Sequence, residues 1–189
     1  MNKIQNDSDS KTYKLFKGLL TDVPEWSDFI ENFNYNYTKN RNNFKPKDDS
    51  RFISNDIIVY NKFDPVIFNC IEDGNTNLFS KSSYAITKIK ELMDRDSTSI
   101  KSIINFLGNE QDYWVHSDDH DVVSWHCIGE IEWRFYKDVK EEDLHKTKID
   151  DAEYESVILQ PGDVLYVPSG VLHQVINNKP RASLIFGYH

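Results

Sequence analysis

The sequence predicts a mainly β protein, a barrel or sandwich of short strands with helices packed on its outside. Three observations predict it. From residue 113 onward, short apolar and aromatic runs recur between turn residues. Ahead of them, apolar residues fall at helical spacing. At 189 residues the chain is long enough for one sizeable core and short for two, so a single domain over 1–189 is expected.

Taken in order, the elements are these. Residues 1–20 read as a polar, partly disordered leader; Met1 to Ser10 has neither an apolar stretch nor a small-residue cleavage site. Asp22-Val-Pro-Glu-Trp26 reads as a helix start, with Asp22 as cap and Pro24 in the first turn. Trp26, Phe29, Ile30 and Phe33 then form one apolar face. The polar stretch 39–50, containing Pro46, is a loop. Ile57 to Tyr60 and Val66 to Phe68 look like strands bounded by Asn and Asp-Pro.

Two further helices are expected, Ser83 to Met93 and Ser99 to Leu107. In the second, Ile100, Ile103, Ile104 and Leu107 repeat the helical spacing, and Gly108 closes it. Residues 22–110 are therefore an N-terminal region of helices and short strands, and 111–189 the β core. Its strands are Tyr113 to Val115, Val122 to Ile128, Ile131 to Tyr136, Val157 to Leu159, Val164 to Val167, Leu172 to Ile176 and Ala182 to Phe186. The charged stretch Lys137 to Glu155 reads as an exposed loop.

Composition excludes several function classes. No apolar run approaches the roughly 20 residues that span a bilayer, so a soluble protein is expected, and the missing signal peptide points to the cytoplasm. A formal charge of −9 argues against binding nucleic acid through phosphate neutralisation. Cys70 and Cys127 are too few and too far apart for a disulfide framework or a redox motif, and read as buried thiols.

The chemistry concentrates in two segments. In Gly162-Asp-Val-Leu-Tyr-Val-Pro168-Ser-Gly170-Val-Leu-His173-Gln-Val-Ile-Asn177, Pro168 and Gly170 make a tight turn. The next strand puts Val171, His173 and Val175 on one side. In the partner segment, His116 and Asp118 are two apart, so on a strand they point the same way and reach one cation. His116, Asp118 and His173 together make a two-histidine, one-carboxylate face, a donor set suited to Fe(II) that leaves other coordination positions open. His120 extends the alternation to His-x-Asp-x-His, but Asp119 and Asp121 around it suggest a turn.

The first of these segments resembles the second motif of the cupin superfamily, G-x5-P-x-G-x2-H-x3-N, at every fixed position. The second is similar to the pattern of JmjC-like and ribosomal-oxygenase-like cupins, matched here by His116, Asp118, Asp119, Asp121, Val122, Gly129 and Trp133. The glutamate of the four-ligand cupin site is absent, Val122 standing in its place. The resemblance covers roughly Tyr113 to Tyr188. It implies a double-stranded β-helix, or jelly roll, with the N-terminal helices outside, and an Fe(II)- and 2-oxoglutarate-dependent dioxygenase. The substrate is unidentified, a protein side chain or a small molecule.

In such enzymes a Lys or Arg two residues after the glycine grips the distal carboxylate of 2-oxoglutarate; this chain has Ile131 there. The resemblance offers Arg181 instead, since Arg181-Ala182-Ser183 is similar to the R-x-S element of other 2-oxoglutarate oxygenases. Lys179 and Arg134 are weaker replacements. Ser183, Tyr113, Ser124 and His126 are the remaining candidates to line the cosubstrate pocket. Two alternatives stay open: a metal-dependent cupin that does not use 2-oxoglutarate, a small-molecule dioxygenase or isomerase, and a non-catalytic ligand-binding cupin. Barrels of this kind often pair through edge strands, so a homodimer is expected. The chain stops at His189, and the C-terminal dimerisation module of some relatives is expected to be missing.

Overall fold

The computed structural model describes residues 12–39, 66–68, 75–106, 114–137, 139, 144, 149 and 152–189. In chain order their elements are β1 (Lys14–Phe16), α1 (Trp26–Lys39), β2 (Val66–Phe68), α2 (Thr76–Met93), β3 (Ser99–Asn105), β4 (Asp121–Ile128), β5 (Ile131–Tyr136), β6 (Tyr154–Leu159), β7 (Val164–Val167), β8 (His173–Ile176) and β9 (Arg181–Tyr188). They form a six-stranded sheet, β1-β7-β4-β9-β3-β2, and a three-stranded sheet, β6-β5-β8. Every strand pairing is antiparallel.

Both faces of the large sheet are covered, and for that reason its central strands read as continuous apolar runs. Alternate residues of β4 and β9 divide between the two faces. Val123, Trp125 and Cys127, with Ala182, Leu184 and Phe186, pack beneath the helices against Phe29, Leu78, Ala85 and Ile89. Val122, with Leu165 and Val167 of β7, instead faces the small sheet and meets Ile131, Trp133, Phe135 and Val175. The jelly roll is the space between these two sheets, and the helices lie outside it, as expected.

Several expectations are corrected. Residues 99–105 form β3 rather than a helix: the segment pairs with β9 over its whole length and with β2 on its other side. Ile100 and Ile104 turn toward the helices, with buried Ser102 between them. The isoleucines are stiff at χ1 and suit a pleated surface, which overrides a spacing that reads equally as helical. The boundary at 111 fails with it, because β1, β2 and β3 all belong to the large sheet.

Residues 12–20 of the expected leader are structured. Lys14–Phe16 pairs with β7, and buried Asp163 binds Lys17 Nζ at 2.9 Å and the Gly18 N–H at 2.8 Å. Helix α1 begins at Trp26; Asp28 accepts from the Glu25 N–H at 2.9 Å, while Asp22 pairs with Lys81 at 3.1 Å and caps nothing. Helix α2 begins seven residues earlier than Ser83, because Asn75 caps it by accepting from the Leu78 N–H at 2.6 Å. Trp114 and Val115 form no strand, whereas Tyr154 and Glu155 do. The strand expected at Ile57 to Tyr60, Cys70 and Gly108 lie outside the described residues.

The end of the jelly roll farther from the histidine motif is closed by the β4–β5 turn. Gly129 has φ +82°, and a Cβ there would sit 2.4 Å from the Pro180 carbonyl oxygen, in backbone that cannot yield. Beside it His126, fully buried, donates from Nε2 to the Gly129 carbonyl at 3.0 Å and accepts at Nδ1 from the Ser183 hydroxyl at 2.9 Å. A bulge between His126 and Ile128 shifts the β4–β9 register at this point. Burial, helped by the nearby Arg181 charge, pushes the His126 imidazole down to about 3.

Gly129→Ala is expected to cost more than about 2 kcal/mol in urea unfolding, combining left-handed strain with a backbone clash. A cost below that would mean that β9 yields at Pro180. Because His126 is held neutral while the unfolded imidazole takes up a proton near pH 6.5, its contribution is full above that pH. It is lost as pH falls toward about 3, at up to roughly 1.4 kcal/mol per pH unit. His126→Gln, which can keep both hydrogen bonds, is expected to flatten that part of the stability profile between pH 6 and 4; an unchanged slope would show that His126 takes up its proton in the folded state.

Candidate metal centre

The site begins with one backbone pairing. His116 and His173 form an isolated antiparallel bridge, His116 N–H donating to the His173 carbonyl at 3.0 Å and His173 N–H to the His116 carbonyl at 2.8 Å. Residues directly opposite in such a bridge put their side chains on one face. The rings accordingly lie 4.4 Å apart between centroids. Asp118, expected on a strand with His116, lies instead in the loop that leads into β4. It is held there by the turn of the second motif: its carbonyl accepts from the Gly170 N–H at 2.9 Å, and three residues further along the chain the Asp121 carboxylate accepts from the Ser169 N–H at 2.8 Å.

Each imidazole is oriented by its own chain. His116 Nδ1 lies 2.9 Å from the Trp114 carbonyl and His173 Nδ1 2.9 Å from the Val171 carbonyl. A carbonyl only accepts, so both Nδ1 atoms carry the proton, the tautomer in which the metal-binding lone pair is on Nε2. His173 Nε2 is 3.6 Å from Asp118 Oδ2, and the three donor atoms of the triad lie within 4.8 Å of one another. Burial, then the neighbouring His116, push His173 down to about 4, so it is neutral at pH 7 and able to coordinate. Trp133 stacks on its ring at 5.2 Å. Two imidazole nitrogens and one carboxylate oxygen converging in this way are a donor set that fits a divalent transition metal such as Fe(II).

The triad opens on a cavity of about 170 Å³ between the sheets, which Lys101, Ser124 and Arg181 also line. Arg181 is buried, at 2% exposure, and Ser124 is fully buried. The Ser124 hydroxyl and the indole Nε1 of Trp133, which borders the same cavity, are buried without a hydrogen-bond partner. Such atoms are costly unless a bound group meets them.

Of the residues expected around the cosubstrate, Arg181 and Ser124 reach the cavity with the triad. His126 and Ser183 share the inward face of β4 and β9 but lie opposite each other, spend their polar atoms on one another and on Gly129, and do not border the cavity. Tyr113 lies outside the described residues. Arg134 is engaged by Glu132 at 2.9 Å, away from the site, and Lys179 is exposed. Ile131 is buried among the apolar residues between the sheets, so the usual position supplies no charge. His120 borders the cavity but groups with Asp119 and His189 rather than with the triad.

Lys101 escapes the sequence reading, because a helix over 99–107 gives it no inward direction. As a strand residue it alternates with Ile100 and faces inward beside Ile103. At the opening, Gly187 stands on the same inward face: a Cβ there would lie 2.5 Å from Ser99 Oγ and 3.3 Å from the His120 ring.

Comparison with known proteins agrees with this architecture. The JmjC domain family model matches residues 78–189, more than half of the chain. A curated relative from Dictyostelium discoideum, the bifunctional lysine-specific demethylase and histidyl-hydroxylase NO66, is 37% identical over 83 residues, which cover 39% of this chain and 16% of that protein. Its counterpart from Drosophila persimilis is 34% identical over 80 residues, 39% of this chain and 12% of that protein. The chain therefore spans less than a fifth of the length of these relatives.

The solved structure of the Escherichia coli ribosomal oxygenase YcfD in complex with cobalt and 2-oxoglutarate superposes with a TM-score of 0.63 at 14% identity, covering 94% of this chain and 48% of that one. A second structure of the same protein gives 0.62 at 16% identity, over 95% and 50%. These superpositions support the fold. With a JmjC model matching the segment that runs from α2 through the triad to the last residue of β9, the chain belongs to the JmjC domain family.

Proposed function

We propose that the protein is an Fe(II)- and 2-oxoglutarate-dependent dioxygenase, with His116, Asp118 and His173 as the metal ligands and Arg181 as the anchor of the cosubstrate. The observation that carries this reading is the junction of an oriented, metal-competent triad with a buried arginine in one small cavity. The bound metal and cosubstrate supply the oxidising chemistry: O₂ and 2-oxoglutarate give succinate and CO₂, and one oxygen atom enters a substrate C–H bond. The protein's part is to bind, orient and shield.

The position of Arg181 answers the loss of charge at Ile131. The Cβ that Gly129 lacks would lie 3.3 Å from both Cα and Cβ of Arg181. The β4–β5 turn that leads into Ile131 and the start of β9 therefore enclose the same deep end of the jelly roll. A cation lost from β5 is replaced from the facing sheet. The guanidinium offers a planar fork that suits a carboxylate, and low local dielectric strengthens the pair. The unpartnered Ser124 hydroxyl and Trp133 N–H offer hydrogens to the same ligand.

The apolar residues Val122, Val175 and Ile185 complete the wall and limit the water that enters beside the triad. Ser183 acts through His126: the pair braces the bulge from which Arg181 and Gly129 are set, and touches no cosubstrate.

The test is anaerobic titration with Fe(II) and then 2-oxoglutarate, following the weak visible band of a chelated 2-oxoacid. The band is expected in the wild type and lost in His173→Ala and Asp118→Ala. Arg181→Met is expected to weaken 2-oxoglutarate by roughly 10- to 100-fold, the range of a charge-assisted pair, and to leave pyruvate, which has no distal carboxylate, unaffected. Iron binding without a band would favour a cupin that uses no 2-oxoglutarate.

A further inference from the structure

Resting on the cosubstrate reading above, we propose that the pocket takes a substrate bearing a carboxylate, and that Lys101 holds this carboxylate at the mouth, beside the metal ligands. The placement follows from strand register. Lys101 pairs with Ile185 and Ile185 with Ser124, so the three make one row across β3, β9 and β4. Arg181 lies four residues deeper along β9, roughly 13 Å away along the strand. The triad belongs to the outer end: Asp118 keeps 31% of its side chain exposed, and His120, two residues on, packs over Gly187 and Ser99. Arg181 is thus the inner cation and Lys101 the outer one.

Charge balance separates their roles. The two charges of Fe(II) and that of Arg181 are matched by Asp118 and the two carboxylates of 2-oxoglutarate. The Lys101 ammonium is left over. Among the described residues it has no ion pair or hydrogen bond. Lys101 also borders a shallow depression at the open edge of β3, but the carboxylate there, Asp96, is taken by Lys90 at 2.7 Å.

The cavity lining points the same way. Among the described residues of its lining there is no carboxylate apart from Asp118, while Lys101, Arg181, Ser124 and Trp133 all present hydrogens. Beneath Lys101 the floor is apolar, Ile103 and Ile185, which lowers the local dielectric and strengthens a pair formed there. A neutral group in this position would leave one uncompensated positive charge beside the triad, and a cationic group would leave two.

The test uses the metal-loaded full chain, with Co(II) in place of Fe(II), and calorimetric titration with and without saturating 2-oxoglutarate. The probes are two pools of capped tripeptides, identical except for a central Asp or Glu against Asn or Gln, and in a separate arm acetate and propionate against their amides. The acids are expected to bind about tenfold tighter than their amides. That preference is expected to vanish in Lys101→Met and return in Lys101→Arg, with 2-oxoglutarate affinity changed less than twofold in both.

Preference in the peptide arm alone identifies an acidic side chain, and in the small-acid arm alone a free acid; both support the proposal. Equal binding of acids and amides by the wild type overturns it. So does a Lys101→Met variant that loses 2-oxoglutarate itself, which would make Lys101 the cosubstrate anchor. If the wild type binds no 2-oxoglutarate, the cosubstrate reading fails, and the acid preference with metal alone still decides the role of Lys101.

Discussion

The site depends on the two hydrogen bonds exchanged by the backbones of His116 and His173. That bridge ties the segment entering β4, in the large sheet, to β8, in the small one. It sets the distance between the sheets at one end of the jelly roll while it brings the two rings together. Asp118 needs no strand of its own, because the turn that delivers His173 also holds its carbonyl through Gly170. One pairing thus closes the jelly roll and assembles the candidate metal centre, so the geometry of the triad is as rigid as the fold.

Around that bridge the two faces of the large sheet do different work. The face beneath the helices is apolar from Val123 to Cys127 of β4 and from Ala182 to Phe186 of β9, and supplies the burial that stabilises the chain. The inward face gives up part of that gain: β9 places Arg181 and Ser183 there, and β4 places Ser124 and His126. Deep in the jelly roll the polar atoms are spent on each other, as in the His126–Ser183 pair. Nearer the metal ligands they are not, and Ser124 and Trp133 keep unmet hydrogens. The change from satisfied to unsatisfied polarity along one sheet marks where structure ends and ligand binding begins.

Much of this was legible in the residues. The turn at Pro168 and Gly170 and the alternation of Val171, His173 and Val175 place a histidine inward on chemical grounds alone, and the strands from Val122 to Phe186 fall close to their expected limits. Arg181 was legible as a candidate for the inner end, and it lines the cavity with the triad. What escaped did so because short apolar runs obey two periods at once. Ile100, Ile103 and Ile104 fit a helical face, yet the pairing partners of β3 on β9 lie 76 to 88 residues away, and no local pattern reports them. With the element misread, the direction of Lys101 was lost too. The β1 strand was hidden for a related reason: three residues, Lys14 to Phe16, are too few to show alternation, and β7 defines them.

The inward row of β9 runs Arg181, Ser183, Ile185, Gly187, and it ends on the one residue with no side chain. A methyl group at position 187 would meet Ser99 and His120 and narrow the opening where a substrate must pass. The aperture is therefore set by a single missing carbon. Its gauge can be altered by one substitution at the rim, far from Arg181 at the inner end, so the width of the opening and the lining of the deep end of this JmjC scaffold can vary independently.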